Sequence, residues 1–261
     1  EFLDGSANRL HRKPVSETEF AKLIDNVKDQ SFDDDKIEFL AGWRDGRAQA
    51  AVSCGNTGAL MALSMLKLRK APGVDRPAIA VMWPAESRQG YNIVLDVGAD
   101  VRADAASMVE YAVMGAEYAR LSFDLERPRV GILNVGSEDN KGRPGIREAA
   151  QLVERIGPEA GGFDYHGFVE GDDIGKGTVD VVVTEGFTGN IALKTAEGTA
   201  RQVGTYLRTA LTNSWLSKLG ALIASGGLRT LRDKMDPRNA NGAVFLGVNG
   251  IVIKSHGGTD E

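Results

Sequence analysis

The chain has 261 residues, 42% of them hydrophobic and 26% charged, the composition of a soluble globular protein long enough to bury a substantial core. Its net charge of −5 argues against general nucleic-acid binding, and its single cysteine excludes a disulfide framework and makes a reducing cytoplasm the default compartment. No apolar run reaches the ~18 residues of a membrane span, and the length fits one large α/β domain or two closely packed subdomains.

The opening, EFLDGSANRLHRKP, lacks the apolar centre of a signal peptide and reads as a fragment end. The first 36 residues are polar apart from a modest helical pattern around Phe20, Leu23, Ile24 and Val27. From Lys36 onward, short apolar runs alternate with amphipathic stretches. A strand is predicted over 48–53 and a helix over 57–70. Strands follow at 78–83 and 92–97, a helix at 104–121, a strand at 129–135 and a helix at 144–156. Next come strands at 163–168 and 180–184 and helices at 188–211, 215–224 and 228–235. A last strand segment, 243–253, contains Asn249-Gly250 and can fold as a hairpin. Runs such as Val-Asp-Val-Val-Val (179–183) are apolar throughout, as strands covered on both faces should be. The expected fold is a three-layer α/β/α sandwich with a mostly parallel, Rossmann-like sheet.

The strand-to-helix junctions rhyme. Ser53-x-Gly55-x-Thr57-Gly58 recurs as Thr184-x-Gly186-x-Thr188-Gly189, and Leu95-Asp96-Val97-Gly98 recurs as Leu133-Asn134-Val135-Gly136. Ligands of open α/β sheets bind beyond the carboxyl ends of strands, glycines let backbone approach a ligand, and helix starts attract anions. These turns are therefore candidate anion sites.

The familiar anion motifs are absent. Gly171 to Gly177 imitates a Walker loop but is one residue short and has Gly177 where Ser or Thr should hold magnesium, so it reads as a solvated loop. No dinucleotide G-x-G-x-x-G follows a strand, and no G-x-S-x-G elbow is present. His11, His166 and His256 are too scattered for a zinc site, so neither a metal nor another cofactor is expected. Cys54 has no base near it in sequence and reads as a buried or turn-packing residue.

Five segments, SCGNTGAL, LDVGAD, RVGILNVGSEDNKG, VVVTEGFTGNIALKTAEG and GAVFLGVNGIVIKSHGGTD, resemble in this order the bacterial phosphate acyltransferases of phospholipid synthesis, the PlsX family. The resemblance covers about residues 38–261, leaving 1–37 as a segment of uncertain origin. It implies transfer of a long fatty acyl group from acyl carrier protein to inorganic phosphate, by a homodimer held peripherally on the inner face of the cell membrane. It also implies a phosphotransacetylase-like fold. The family's opening strand with its Met-Gly-Gly-Asp turn is not readable here, and its last helix would follow Glu261.

On that reading, turn N–H groups and the hydroxyls of Ser53, Thr57 and Thr188 hold phosphate, with Gly55, Gly58, Gly186 and Gly189 giving access. Asn56, Asn134, Asn190 or a turn N–H faces the oxyanion, and Lys141 is the cation beside the phosphate. Asp96 orients a lysine or a water, or closes its own turn. His256 is a polar site residue on the resemblance alone.

A second locus lies in 214–235. Trp215, Leu216, Leu219, Leu222 and Ile223 share one helical face, and Leu228, Leu231 and Met235 resume it after Ser225-Gly226-Gly227. Lys218, Arg229, Arg232 and Lys234 against Asp233 leave +3, which suits an anionic bilayer surface; a dimer-packing helix pair is the alternative. Two other functions stay open: a phosphotransacetylase-like enzyme using acyl-CoA, and a non-catalytic module that binds membrane or carrier protein.

Overall fold

The computed structural model describes residues 49–235 and 242–255. The segment 1–37 singled out above lies outside them. β1 (Ala51–Ser53) leads into α1 (Thr57–Lys67), and β2 (Ala78–Pro84) turns back into β3 (Tyr91–Leu95). α2 (Ala105–Phe123) precedes β4 (Arg129–Leu133). Then come α3 (Pro144–Ile156), a π-helical turn at Gly157–Gly161, β5 (Asp164–Val169) and β6 (Val181–Val183). Three helices follow, α4 (Gly186–Thr212), α5 (Trp215–Ile223) and α6 (Ser225–Met235), and the β7 (Ala243–Leu246) and β8 (Val252–Lys254) pair ends the described chain.

The eight strands form one sheet in the order β1-β8-β7-β2-β3-β6-β4-β5. It is mixed and mostly parallel. β3, β6, β4 and β5 run together, and β1 runs with β8. The β2–β3, β2–β7 and β7–β8 pairs are antiparallel. The expected hairpin across 249–250 is present as β7–β8, whereas the β2–β3 hairpin was not foreseen. Its turn is carried by Gly90 at φ 79°, in an unremarkable polar stretch.

Successive residues of the central strands serve opposite cores. Ala78, Ala80, Ile93, Leu95, Val181 and Val183 pack under α2 and α3. Their neighbours Ile79, Val81, Val94 and Val182 pack on the other face with Leu60 and Leu63 of α1 and the half-buried Ala192 and Leu193 of α4. Each fully buried Val or Leu contributes roughly 1.5–3 kcal/mol, so both faces need their helical cover. Three layers result, as the unbroken apolar strands required. α2 lies close because a Cβ on Gly115 would stand only 2.7 Å from Val181 and 2.8 Å from Leu95.

Element ends follow local chemistry. α2 starts where the Asp104 carboxylate accepts the Ser107 N–H at 2.9 Å and stops at Asp124, whose φ is 53°. β3 stops at Leu95, two residues earlier than expected, because Asp96 turns inward to close the following loop. α4 begins two residues early, at Gly186. The expected interruption at Ser225-Gly226-Gly227 shrinks to Ala224, and the glycine pair lies within the first turn of α6. Leu228 N–H still reaches Ala224 O at 3.0 Å.

The Asp96 turn fixes the start of α4. Asp96 is fully buried, and its oxygens accept N–H groups from Ile79 (3.0 Å), Gly98 (3.2 Å), Ala99 (3.0 Å) and Asp100 (2.6 Å). An ideal Cβ on Gly189 would stand 1.9 Å from Asp96 O, and one on Gly186 2.9 Å from Asp96 Oδ2. Gly189→Ala should therefore lower stability by at least ~2 kcal/mol, as overpacking against backbone does. Gly204→Ala, on the same helix with nothing within 4 Å, should raise it by about 0.5–1 kcal/mol. Urea midpoints test the pair, and equal midpoints would refute the close packing.

Candidate active site

β4 and β6 are parallel neighbours, and their carboxyl ends continue into Asn134 and Thr184. Asn134 N–H donates to Val169 O at 2.9 Å, and its side-chain Nδ2 donates to Gly136 O (3.1 Å) and Lys141 O (3.2 Å). The loop 135–142 is thus wound around one carboxamide. Gly142 closes it at φ 81°, where a Cβ would stand 2.1 Å from Asn134 Oδ1, so only glycine fits. Arg143 comes next with extended backbone, as a residue before proline prefers, and Pro144 opens α3 at its first position.

From β6 the chain enters α4 through Glu185. This carboxylate is 4% exposed and accepts the N–H groups of Phe187 (2.7 Å) and Thr188 (3.2 Å). It also accepts the Thr188 hydroxyl and Nη2 of Arg143, the latter at 2.7 Å. Burial pushes the Glu185 carboxyl up. The Thr188 hydroxyl, the Arg143 guanidinium and the N–H groups of Thr188 and Phe187 outweigh it and hold the group below the usual glutamate range.

A cavity of about 320 Å³ opens between these two strand ends. Its apolar wall is Leu133, Val135, Ile146 and Phe187, with Val135 and Phe187 forming exposed lips at 80% and 58%. Its polar side chains are Asn134, Arg143, Thr184 and Thr188. A guanidinium beside an apolar mouth suits a small anion meeting an apolar chain.

The two rhyming turns do not form one site. β1 lies five places from β6 with three antiparallel pairings between them, so the two strands run oppositely and their ends are not neighbours. Gly186 and Gly189 are buried against the Asp96 turn. The N–H of Gly186 goes to Asp100 O at 3.0 Å and that of Gly189 to Glu185 O at 2.9 Å. With Glu185 taking the next two, no N–H of this helix start is left for phosphate. At Gly186 and Gly189 the glycines are those of a helix that begins against backbone.

The turn at 53–58 is a separate locus. Asn56 caps α1 by accepting Ala59 N–H at 3.1 Å, Ser53 Oγ accepts Gly55 N–H at 3.2 Å, and Ser53 O accepts Ser255 N–H at 2.9 Å. The N–H groups of Thr57 and Gly58 have no acceptor among the described residues. Cys54 is exposed, and its carbonyl accepts Lys254 Nζ at 3.3 Å. Burial holds the Lys254 ammonium below the usual lysine range, opposed by Cys54 and aided by Lys194 of α4.

Other sequence expectations divide. Asp96 closes its own turn and has no oxygen left for a lysine; burial pushes its carboxyl up against the pull of its N–H donors. Asn134 cannot serve an oxyanion, because both Nδ2 hydrogens go to loop carbonyls. Lys141 stands half-exposed on the loop with Glu138 3.7 Å away, off the cavity wall. Asn190 is exposed one turn along α4, its Cβ 3.6 Å from the position a Gly98 Cβ would take. His256 lies outside the described residues. The Walker-like loop is solvated as expected, with Lys176 paired to Asp172 (2.7 Å) and Asp173 (2.9 Å). Sequence reading missed Arg143, signalled only by the Arg143-Pro144 step, and Glu185, an unassigned position inside the Thr184–Gly189 repeat.

Residues 38–261 match the profile of the family described as fatty acid synthesis protein, and the chain belongs to that family. It is 60% identical over 221 residues to a phosphate acyltransferase from Paracoccus denitrificans, covering 85% of this chain and 60% of that protein. A phosphate acyltransferase from Rhodobacter capsulatus is 60% identical over 217 residues, 83% of this chain and 54% of that one. The chain thus spans less than two thirds of the length of these relatives. Among solved structures, a phosphotransacetylase from Staphylococcus aureus superposes with a TM-score of 0.52 at 15% identity, over 95% of this chain and 72% of that one. A branched-chain phosphotransacylase from Enterococcus faecalis gives 0.52 at 14%, over 86% and 73%. These two share the fold.

A carboxylate held below its usual pKa contributes stability that is present above ~4.3 and is lost as pH falls through its folded value. Stability should therefore fall below the ordinary glutamate range, and Glu185→Gln should flatten that part of the acid limb. Thermal melts between pH 7 and pH 3 measure it. Parallel acid limbs in the two proteins would show that the carboxylate is not ionised in its cap.

Proposed function

We propose that the protein containing this chain transfers a long-chain fatty acyl group from acyl carrier protein to inorganic phosphate, giving acyl phosphate for phospholipid synthesis. The cavity between β4 and β6 carries the reading, since it sets one guanidinium beside an apolar mouth. The names of the 60%-identical relatives support it. Phosphate itself is the attacking group in this reading, with no covalent enzyme intermediate. A phosphate oxygen adds to the thioester carbonyl, the carbon–sulfur bond breaks, and the thiolate leaves with its electron pair. A thiol pKa near 8.5 lets that sulfur depart without a general acid. Holding phosphate in line with the carbonyl contributes several kcal/mol of barrier lowering, roughly. Lys141 and Asn190 flank this region and are proposed to face the developing charge; the Ser53–Gly58 turn beside Lys254 is proposed to meet the acyl donor.

Purified full-length protein should consume acyl-carrier thioester only when phosphate is added, releasing equal amounts of free carrier and acyl phosphate. Thioester loss independent of phosphate would overturn the reading. Faster turnover of acyl-CoA than of the carrier thioester would favour a phosphotransacetylase-like enzyme instead.

The same reading places the protein peripherally on an anionic membrane, as a homodimer. No described helix is long and apolar enough to cross a bilayer. α5 instead exposes Trp215, Leu216, Leu219, Leu222 and Ile223, and Leu231 of α6 is exposed with Leu228 half-covered. Basic residues near an anionic surface are worth ~1 kcal/mol each. Vesicle pelleting should therefore weaken with salt and disappear in the Leu219→Glu, Leu222→Glu double variant, with the dimer intact. Loss of the dimer with pelleting unchanged would make this face a subunit interface.

A further inference from the structure

Counting hydrogens leaves one polar side chain of the β4–β6 cavity wall with donors to spare. Asn134 has two side-chain N–H hydrogens, and both go to loop carbonyls, those of Gly136 and Lys141. Thr188 has one hydroxyl hydrogen, and it goes to the ionised Glu185. The Thr184 hydroxyl donates to Glu185 O at 3.3 Å. The first N–H groups of α4 are taken as described above. Arg143 is different. A guanidinium carries five N–H hydrogens, and the ion pair with Glu185 uses one of them, on Nη2. Four remain without an acceptor among the described residues, on a planar fork that matches two oxygens of a tetrahedral oxyanion.

From this geometry we infer that Arg143 is the phosphate-binding residue of the cavity and that Glu185 is its positioning residue. The inference rests on the acyl-transfer reading for its substrate and replaces the helix start with a side chain as the anion's host. Glu185 is fixed by the α4 cap, so it can hold Arg143 at a constant place on the wall. Pro144 restricts the Arg143 backbone from the other side. The site recognises a free phosphate dianion; the other anion available to such an enzyme, the phosphodiester in the carrier's pantetheine arm, arrives with the donor.

The test uses full-length protein and separates the two sources. In steady-state assays with acyl-carrier thioester, Arg143→Ala should raise the KM for inorganic phosphate about tenfold to a hundredfold, as loss of hydrogen bonds between charged groups does, with the donor KM unchanged. Arg143→Lys should recover part of that loss, because charge returns without the fork. Glu185→Gln should raise phosphate KM more than it lowers kcat, a split that mere loosening of the fold does not produce. Calorimetric titration with inorganic phosphate in the absence of donor reads the same site when no turnover occurs, so a failed acyl-transfer reading remains distinguishable from a failed Arg143. Wild-type phosphate affinity in a folded Arg143→Ala protein overturns the proposal. A rise in donor KM with phosphate KM unchanged overturns it equally, by assigning the guanidinium to the carrier's arm.

Discussion

One buried carboxylate organises the region where β4, β6 and α4 meet. Glu185 receives four donors, two from its own helix backbone, one from Thr188 and one from Arg143. A carboxylate removed from water is expensive to keep charged unless it is fully hydrogen-bonded, and this one is. Its satisfaction has a geometric price: α4 can start only here, with Gly186 and Gly189 pressed on the Asp96 turn. The cavity is then what is left between that fixed helix start and the loop wound around Asn134.

Asp96 and Glu185 use the same physics at adjacent strand ends. Each is an acid at the tip of a parallel strand that turns inward and gathers N–H groups which would otherwise be unpaired. Asp96 gathers them from its own loop and from Ile79 on the neighbouring β2, so it closes the open end of the β2–β3 hairpin. Glu185 gathers them from a helix and leaves one donor-rich partner, Arg143, at the surface. The first acid is purely architectural, and the second connects architecture to a charged group on a cavity wall.

Much of the architecture was legible in the sequence because strand interiors such as Val181–Val183 carry no polar alternation and can only be buried on both faces. The β7–β8 hairpin announced itself through Asn249-Gly250. The β2–β3 hairpin did not, since its turn residues Ser87 to Gly90 resemble any surface loop. Without the β2–β3 hairpin in view, two rhyming turns look like two halves of one anion cradle. Glycine at 186 and 189 reports close backbone packing as readily as ligand access, and sequence gives no means of separating the two. Arg143 and Glu185 lie 42 positions apart, and only the pairing of β4 with β6 brings them together.

α4 has a further consequence. Its 27 residues rise about 40 Å, yet only its first two turns are built into the sheet, through Gly186, Gly189, Ala192 and Leu193. Beyond Arg201 nearly every residue is solvated, and Thr205, Thr209 and Thr212 turn their hydroxyls back on carbonyls one turn earlier. A helix of this kind has no single stability. Amide hydrogens near Gly189 exchange only when the sheet opens, whereas those past Tyr206 exchange by fraying, which needs far less free energy. The distal half can therefore melt and reform against another surface while the hydrogen bonds around Glu185 stay in place.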